Sequence, residues 1–172
     1  MSVTAETLRA HLDYTAWASA ALMDAASRLS PEELNRDFQT ADKSVLGTLV
    51  HIFAADRIWL EWIRGRAPNA FVQPADHDFA KLQLAWPAVH QGWRQWAAEL
   101  TDAQALEEVS FLDLAGNPRR HSVWQIVLHL VNHGTHHRGA ASGFLRTMGH
   151  TPPKLDLSFY YRTAPATRGA AS

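Results

Sequence analysis

Apolar positions recur at helical spacing along most of the chain. From about Thr4 to Leu29 they fall at Leu8, Leu12, Ala16, Ala20, Met23 and Leu29, the rhythm of a helix with one buried face. Ser30-Pro31 stops this run, because a residue before proline is driven out of the helical region. A polar connection, Glu32 to Lys43, follows. Ser44 is the expected N-cap of a second helix, Val45 to Arg64, closed by Gly65. Past a loop with Pro68 and Pro74, a third helix runs from about Asp76 to Leu100, with Pro87 inside it as a kink or a break. Thr101-Asp102 opens a short helical turn. Val109 to Leu114 and Arg119 to His121 flank a turn signal, Ala115-Gly116-Asn117-Pro118, and predict a small hairpin or an extended loop. Ser122 caps a fourth long helix, Val123 to Met148, ended by Gly149. A short helix around Asp156 to Tyr160 is expected next, then a loose tail rich in Ala, Arg and Gly over residues 164–172.

Four long amphipathic helices on short or moderate links predict an all-α fold, a four-helix bundle, with residues 1–163 as a single domain. Composition narrows the function more than the fold. A net charge of −1 and no lysine/arginine-rich run give no electrostatic reason to expect nucleic acid or an anionic membrane. The chain has no cysteine, which excludes disulfides, thiolate metal ligands and a cysteine nucleophile. The N-terminal residues lack an apolar signal core, and His, Asp and Arg break the apolar stretches short of a membrane span, so a soluble, cytoplasmic protein is expected.

The chemistry concentrates in the fourth helix, where His129, His133, His136 and His137 fall within nine residues. At about 100° per residue, with His129 at zero, the apolar residues of that helix centre near about 100°, and His137, His133 and His136 lie near about 80°, 40° and −20°. His133 and His137 therefore face the interior, while His129 and His136 sit on its boundary. The inner pair has the i, i+4 spacing of two metal ligands on one helix, but Gly134 and Thr135 replace the glutamate of H-E-x-x-H, which excludes a zincin protease. A third ligand must come from another helix. His51, beside the apolar face of Val45, Leu49, Ile52, Trp59 and Ile63, is the best placed, and His11 is weaker. His77, His90, His121 and His150 fall at predicted ends or on polar faces. Three imidazoles would leave coordination positions open for water or substrate, although a histidine on an apolar face is more often simply a packed, hydrogen-bonded core residue. An all-nitrogen site suits zinc or nickel first, and iron, manganese or copper after them.

Asp56 falls in the middle of the second helix's apolar face. It either orients a ligand histidine or forms a structural pair with an arginine or the Tyr14 hydroxyl, and the structural pair is favoured. Most of the seven tryptophans are expected in the core, with one or two free to line a cleft above a metal.

Five segments together resemble the DinB/YfiT-like superfamily: Tyr14-Thr-Ala-Trp17, Lys43 to His51, Ala55 to Leu60, Asn132-His133-Gly-Thr-His136-His137-Arg138-Gly139, and Leu155-Asp-Leu-Ser-Phe-Tyr-Tyr161. The resemblance implies an up-down-down-up four-helix bundle, commonly a homodimer, with a divalent metal held by His51, His133 and His137. Some relatives are thiol-dependent S-transferases or isomerases using a low-molecular-weight thiol. A metal-dependent transferase or hydrolase-like enzyme is therefore expected, with a non-enzymatic metal-stabilised or metal-sensing bundle as the alternative. Family members often continue His-Arg-Gly with glutamine, where this chain has Ala140.

Overall fold

The computed structural model describes residues 3–163. The expected loose tail, residues 164–172, lies outside them. Helix α1 (Ala5–Ala26) begins at Thr4, whose side chain accepts from the Thr7 amide. It stops before Leu29, because Ser30-Pro31-Glu32-Glu33 is itself a helix start. Ser30 caps the Glu33 amide, the Glu33 carboxylate caps Ser30, and Pro31 occupies the first turn of α2 (Pro31–Asn35). The connection expected after Pro31 thus contains a helix.

Helix α3 (Val45–Ile63) starts at the Ser44 cap and runs to Gly65, which takes a φ of 71° where a side chain would be strained. A 3-10 turn (Pro74–His77) leads to α4 (Phe79–Ala98), capped by Asp78. Helix α4 continues through Pro87 without a break, at the cost of one backbone hydrogen bond. Thr101 and Gln104 cap each other's backbone at α5 (Asp102–Leu106).

Strands β1 (Glu108–Leu112) and β2 (Pro118–Ser122) then pair antiparallel, Val109 opposite His121 and Phe111 opposite Arg119. The sequence left a hairpin or a loop open. The hairpin forms because the Asp113 carboxylate accepts the Ala115 and Asn117 amides and Gly116 adopts a φ of 81°. The all-α expectation accordingly becomes a mainly helical fold with one two-stranded sheet. Helix α6 (Val123–Thr147) carries the histidines, and α7 (Leu157–Thr163) follows.

The four long helices pack in a ring: α1 against α4 and α6, and α3 against α4 and α6. Their apolar faces form two clusters. One gathers Leu22, Leu49, Ile52, Leu82, Trp86 and Leu145; the other gathers Leu8, Leu12, Trp93, Ile126 and Leu130. Between them in sequence, on every long helix, lies a polar residue that is nonetheless buried: Thr15 and Ser19 on α1, Asp56 on α3, His90 on α4 and Arg138 on α6. The polar residues cross the middle of the ring as a layer.

A third, smaller cluster accounts for two of the five recognised segments. The Tyr14 hydroxyl donates to the Leu155 carbonyl at 2.8 Å. The Tyr14 and Trp17 rings pack on Tyr160 at 5.7 and 5.4 Å, so the aromatic residues of α1 clasp the closing segment of the fold. Among the described residues no helix is long and apolar enough to cross a membrane.

Candidate metal centre

Helices α3 and α6 pack against each other, and that contact sets His51 against the α6 histidines across 82 positions of sequence. The Nε2 atoms of His51 and His133 lie 3.0 Å apart. The His51 and His137 rings are 4.2 Å apart between centroids, and those of His133 and His137 4.5 Å. One nitrogen from each of the three falls within 4.8 Å of the others. Four ligands at zinc–imidazole distances of about 2.0–2.1 Å sit about 3.3 Å from one another in a tetrahedron, so this spacing fits a shared ion.

The carboxylate that serves these rings is Asp42, from the loop before α3. Its Oδ2 meets His137 Nδ1 at 2.8 Å, and its Oδ1 faces His51 Nδ1 at 3.4 Å. An acceptor at Nδ1 assigns the proton to that nitrogen and leaves the Nε2 lone pair free, the arrangement that readies an imidazole for a metal. The loop is built for closeness. Gln39 and Lys43 take φ values of 57° and 62°. Gly47 lies so near that a Cβ there would come within 2.0 Å of the Asp42 carbonyl oxygen.

His133 differs from its partners. Its Nδ1 is buried without a hydrogen-bond partner among the described residues. Burial first, then the neighbouring His137 and His51, push its pKa down from 6.5 to about 4, so the ring is neutral at physiological pH. His137 is also lowered, chiefly by burial and by His51, with Asp42 opposing both. Crowded imidazoles, two of them disfavoured as cations, are a donor set that a divalent ion would suit.

The other expectations divide. His129 and His136 are exposed beside the triad, as their helical angles predict; His129 packs on Trp59 with centroids 5.2 Å apart. Trp59 in turn meets Phe111 of the hairpin at 5.4 Å, so one half-buried tryptophan stands close to the histidines. His11 turns back to the Thr7 carbonyl, and His150 meets Glu33 at 2.8 Å. Ala140 is exposed.

Asp56 does form a structural contact, but with neither an arginine nor Tyr14. Its Oδ2 accepts from Trp86 Nε1 at 2.7 Å and meets His90 Nε2 at 3.1 Å. His90, expected at an end or on a polar face, is therefore a buried residue of α4. Asp42 had no such prediction, since it lies in a polar loop two residues before an N-cap, where an acid ordinarily passes as a helix-start residue.

The DinB family model matches residues 1–169. The chain belongs to the DinB family. It is similar to Protein DinB of Bacillus subtilis (strain 168), 22% identical over 173 residues, covering 86% of this chain and 90% of that protein. It is also similar to the crystal structure of a DinB-like protein from Bacillus cereus ATCC 10987, with a TM-score of 0.57 at 20% identity, covering 90% of this chain and 99% of that one. That likeness shows a shared fold. In this DinB-family chain, neither of two clefts of about 670 and 570 Å³ is lined by His51, His133 or His137.

Proposed function

We propose that this DinB-family chain binds one divalent metal ion through His51, His133 and His137 and uses it in enzyme chemistry. The observation that supports the reading is the Asp42 clamp: one carboxylate faces Nδ1 of two of the three rings, and one nitrogen from each of the three rings lies within 4.8 Å of the others. When bound, the ion would lower the pKa of a coordinated thiol or water and present it as thiolate or hydroxide. The chain's own residues hold and orient the site. Asp42 fixes two imidazoles, and burial keeps His133 free of a proton. Thiol S-transfer with a low-molecular-weight thiol is the first reaction class and hydrolysis the second. Zinc and nickel are the first ions, with iron, manganese and copper behind them. The same reading takes residues 1–163 as one up-down-down-up bundle that pairs as a homodimer in the cytoplasm.

The test is purified protein loaded with zinc or nickel, offered bacillithiol, mycothiol or glutathione together with a chromogenic aryl halide. Conjugation that disappears in His133→Ala supports the transferase. No turnover with any of the three thiols, and none with ester substrates, would overturn the enzymatic reading. One observation favours the second reading, a metal-stabilised or metal-sensing bundle: both oxygens of Asp42 face ring nitrogens of the triad, so that carboxylate serves the rings. A large metal-dependent rise in melting temperature without any reaction would decide for it. Light scattering tests the dimer.

A further inference from the structure

We propose that the cleft between α1, α6 and residues 149–156 binds a small-molecule oxyanion of the phosphomonoester class, at a site separate from the histidine triad. The cleft measures about 670 Å³, within the range of small-molecule sites, and three cations line it: Arg138, Arg146 and Lys154. None of the three makes an ion pair among the described residues, and every Asp and Glu of the chain lies within those residues. The lining contains one acid, Asp156, which is exposed; its histidine, His150, is held by Glu33.

Arg138 is the decisive residue. It is 1% exposed and meets hydroxyls, Ser19 at 3.4 Å and Thr135 at 3.2 Å; the Tyr14 hydroxyl and the charge of the buried Asp56 also stabilise it, but no carboxylate pairs with it and its Nε has no partner among the described residues. A buried guanidinium ordinarily sits against a carboxylate, because its desolvation is otherwise uncompensated. Here the Tyr14 ring, 5.4 Å away, supplies part of the compensation. The chain also makes room for this charge: a Cβ on Gly134 would come within 2.6 Å of Arg138 Nη1. An oxyanion in the cleft would meet the Arg138 guanidinium, two exposed cations and the Ser142 hydroxyl, the donor set that recognises phosphate. At about 100° per residue, Arg138, Ser142 and Arg146 lie about 100°, 140° and 180° around α6 from His137, so this face is not the ligand face.

The test is calorimetric titration of inorganic phosphate and phenyl phosphate at constant ionic strength, with chloride as the balancing anion. Saturable phosphate binding is expected, weakened at least about tenfold in the double variant Arg146→Ala/Lys154→Ala, whose two exposed positions leave the core untouched. Chelator-treated protein is expected to bind phosphate as well as the untreated protein, which separates this site from the triad. No saturable binding, equal binding by the double variant, or loss of binding on metal removal would each overturn the proposal. Failure of phenyl phosphate to displace phosphate would overturn the phosphomonoester assignment.

Discussion

Two carboxylates in this protein each meet histidine nitrogens, and they serve opposite purposes. Asp56 is 1% exposed and meets α4 at three points: the Trp86 indole and the His90 ring on its Oδ2, and the Trp93 indole on its backbone carbonyl. It pins one helix to another. Asp42 has a side chain 17% exposed, sits in a loop, and faces two rings from two different helices. A carboxylate beside a histidine is thus not by itself a sign of chemistry. The difference lies in the opposite nitrogen. His90 has no second histidine with which to share a ligand, whereas one nitrogen each from His51, His133 and His137 lies within 4.8 Å of the other two.

Substitutions can break this contrast. His133→Ala should have the largest effect, reducing metal retention by more than about a hundredfold, because two imidazoles hold a divalent ion poorly; elemental analysis after dialysis reads it. Asp56→Ala should cost about 3–5 kcal/mol of stability in denaturant melts, since it strands two buried donors, yet leave metal stoichiometry intact. Loss of metal at unchanged stability would reverse the roles assigned to the two acids. Asp42→Asn should do the opposite of Asp56→Ala, lowering metal affinity about 10–100-fold with little change in the melt. Gly47→Ala should lower metal affinity in the same direction, because the added Cβ displaces the Asp42 backbone.

The smallest effect is a slope with pH. In the folded chain His133 has its pKa near 4, below the free value of 6.5. Between those values the unfolded chain binds the extra proton, so the stability of metal-free protein should fall as pH drops from 6.5 toward 5. His133→Gln should flatten that part of the curve in thermal melts. An unchanged slope would mean that His133 is not the buried neutral ring described.

The histidine cluster was legible because two of its members share one helix and the third lies beside an apolar face, so a 3.6-residue period ranks them. The hairpin was half legible: its turn residues are plain, but the Asp113 side chain that ties the turn is a tertiary choice. His90 could have been read. It stands four residues after Trp86 and three before Trp93, on the very face that includes Leu82 and Ala97, and its polarity masked its position. Asp42 could not be read, since its contact with His137 spans 95 positions and its loop has no period to count. Arg138 carries no sequence signal for burial beyond the neighbouring Gly134, whose missing Cβ gives the guanidinium its room.

The two left-handed residues of the Asp42 loop have one more consequence. Gln39 and Lys43 adopt their unusual backbone when the chain folds, and the conformational entropy of assembling the clamp is lost at that step. A cation bound at the proposed site would therefore meet histidines already in place and need only shed its water. Ion uptake in this protein should resemble docking into a rigid crystal lattice more than the folding of a zinc finger, with a heat-capacity change close to zero.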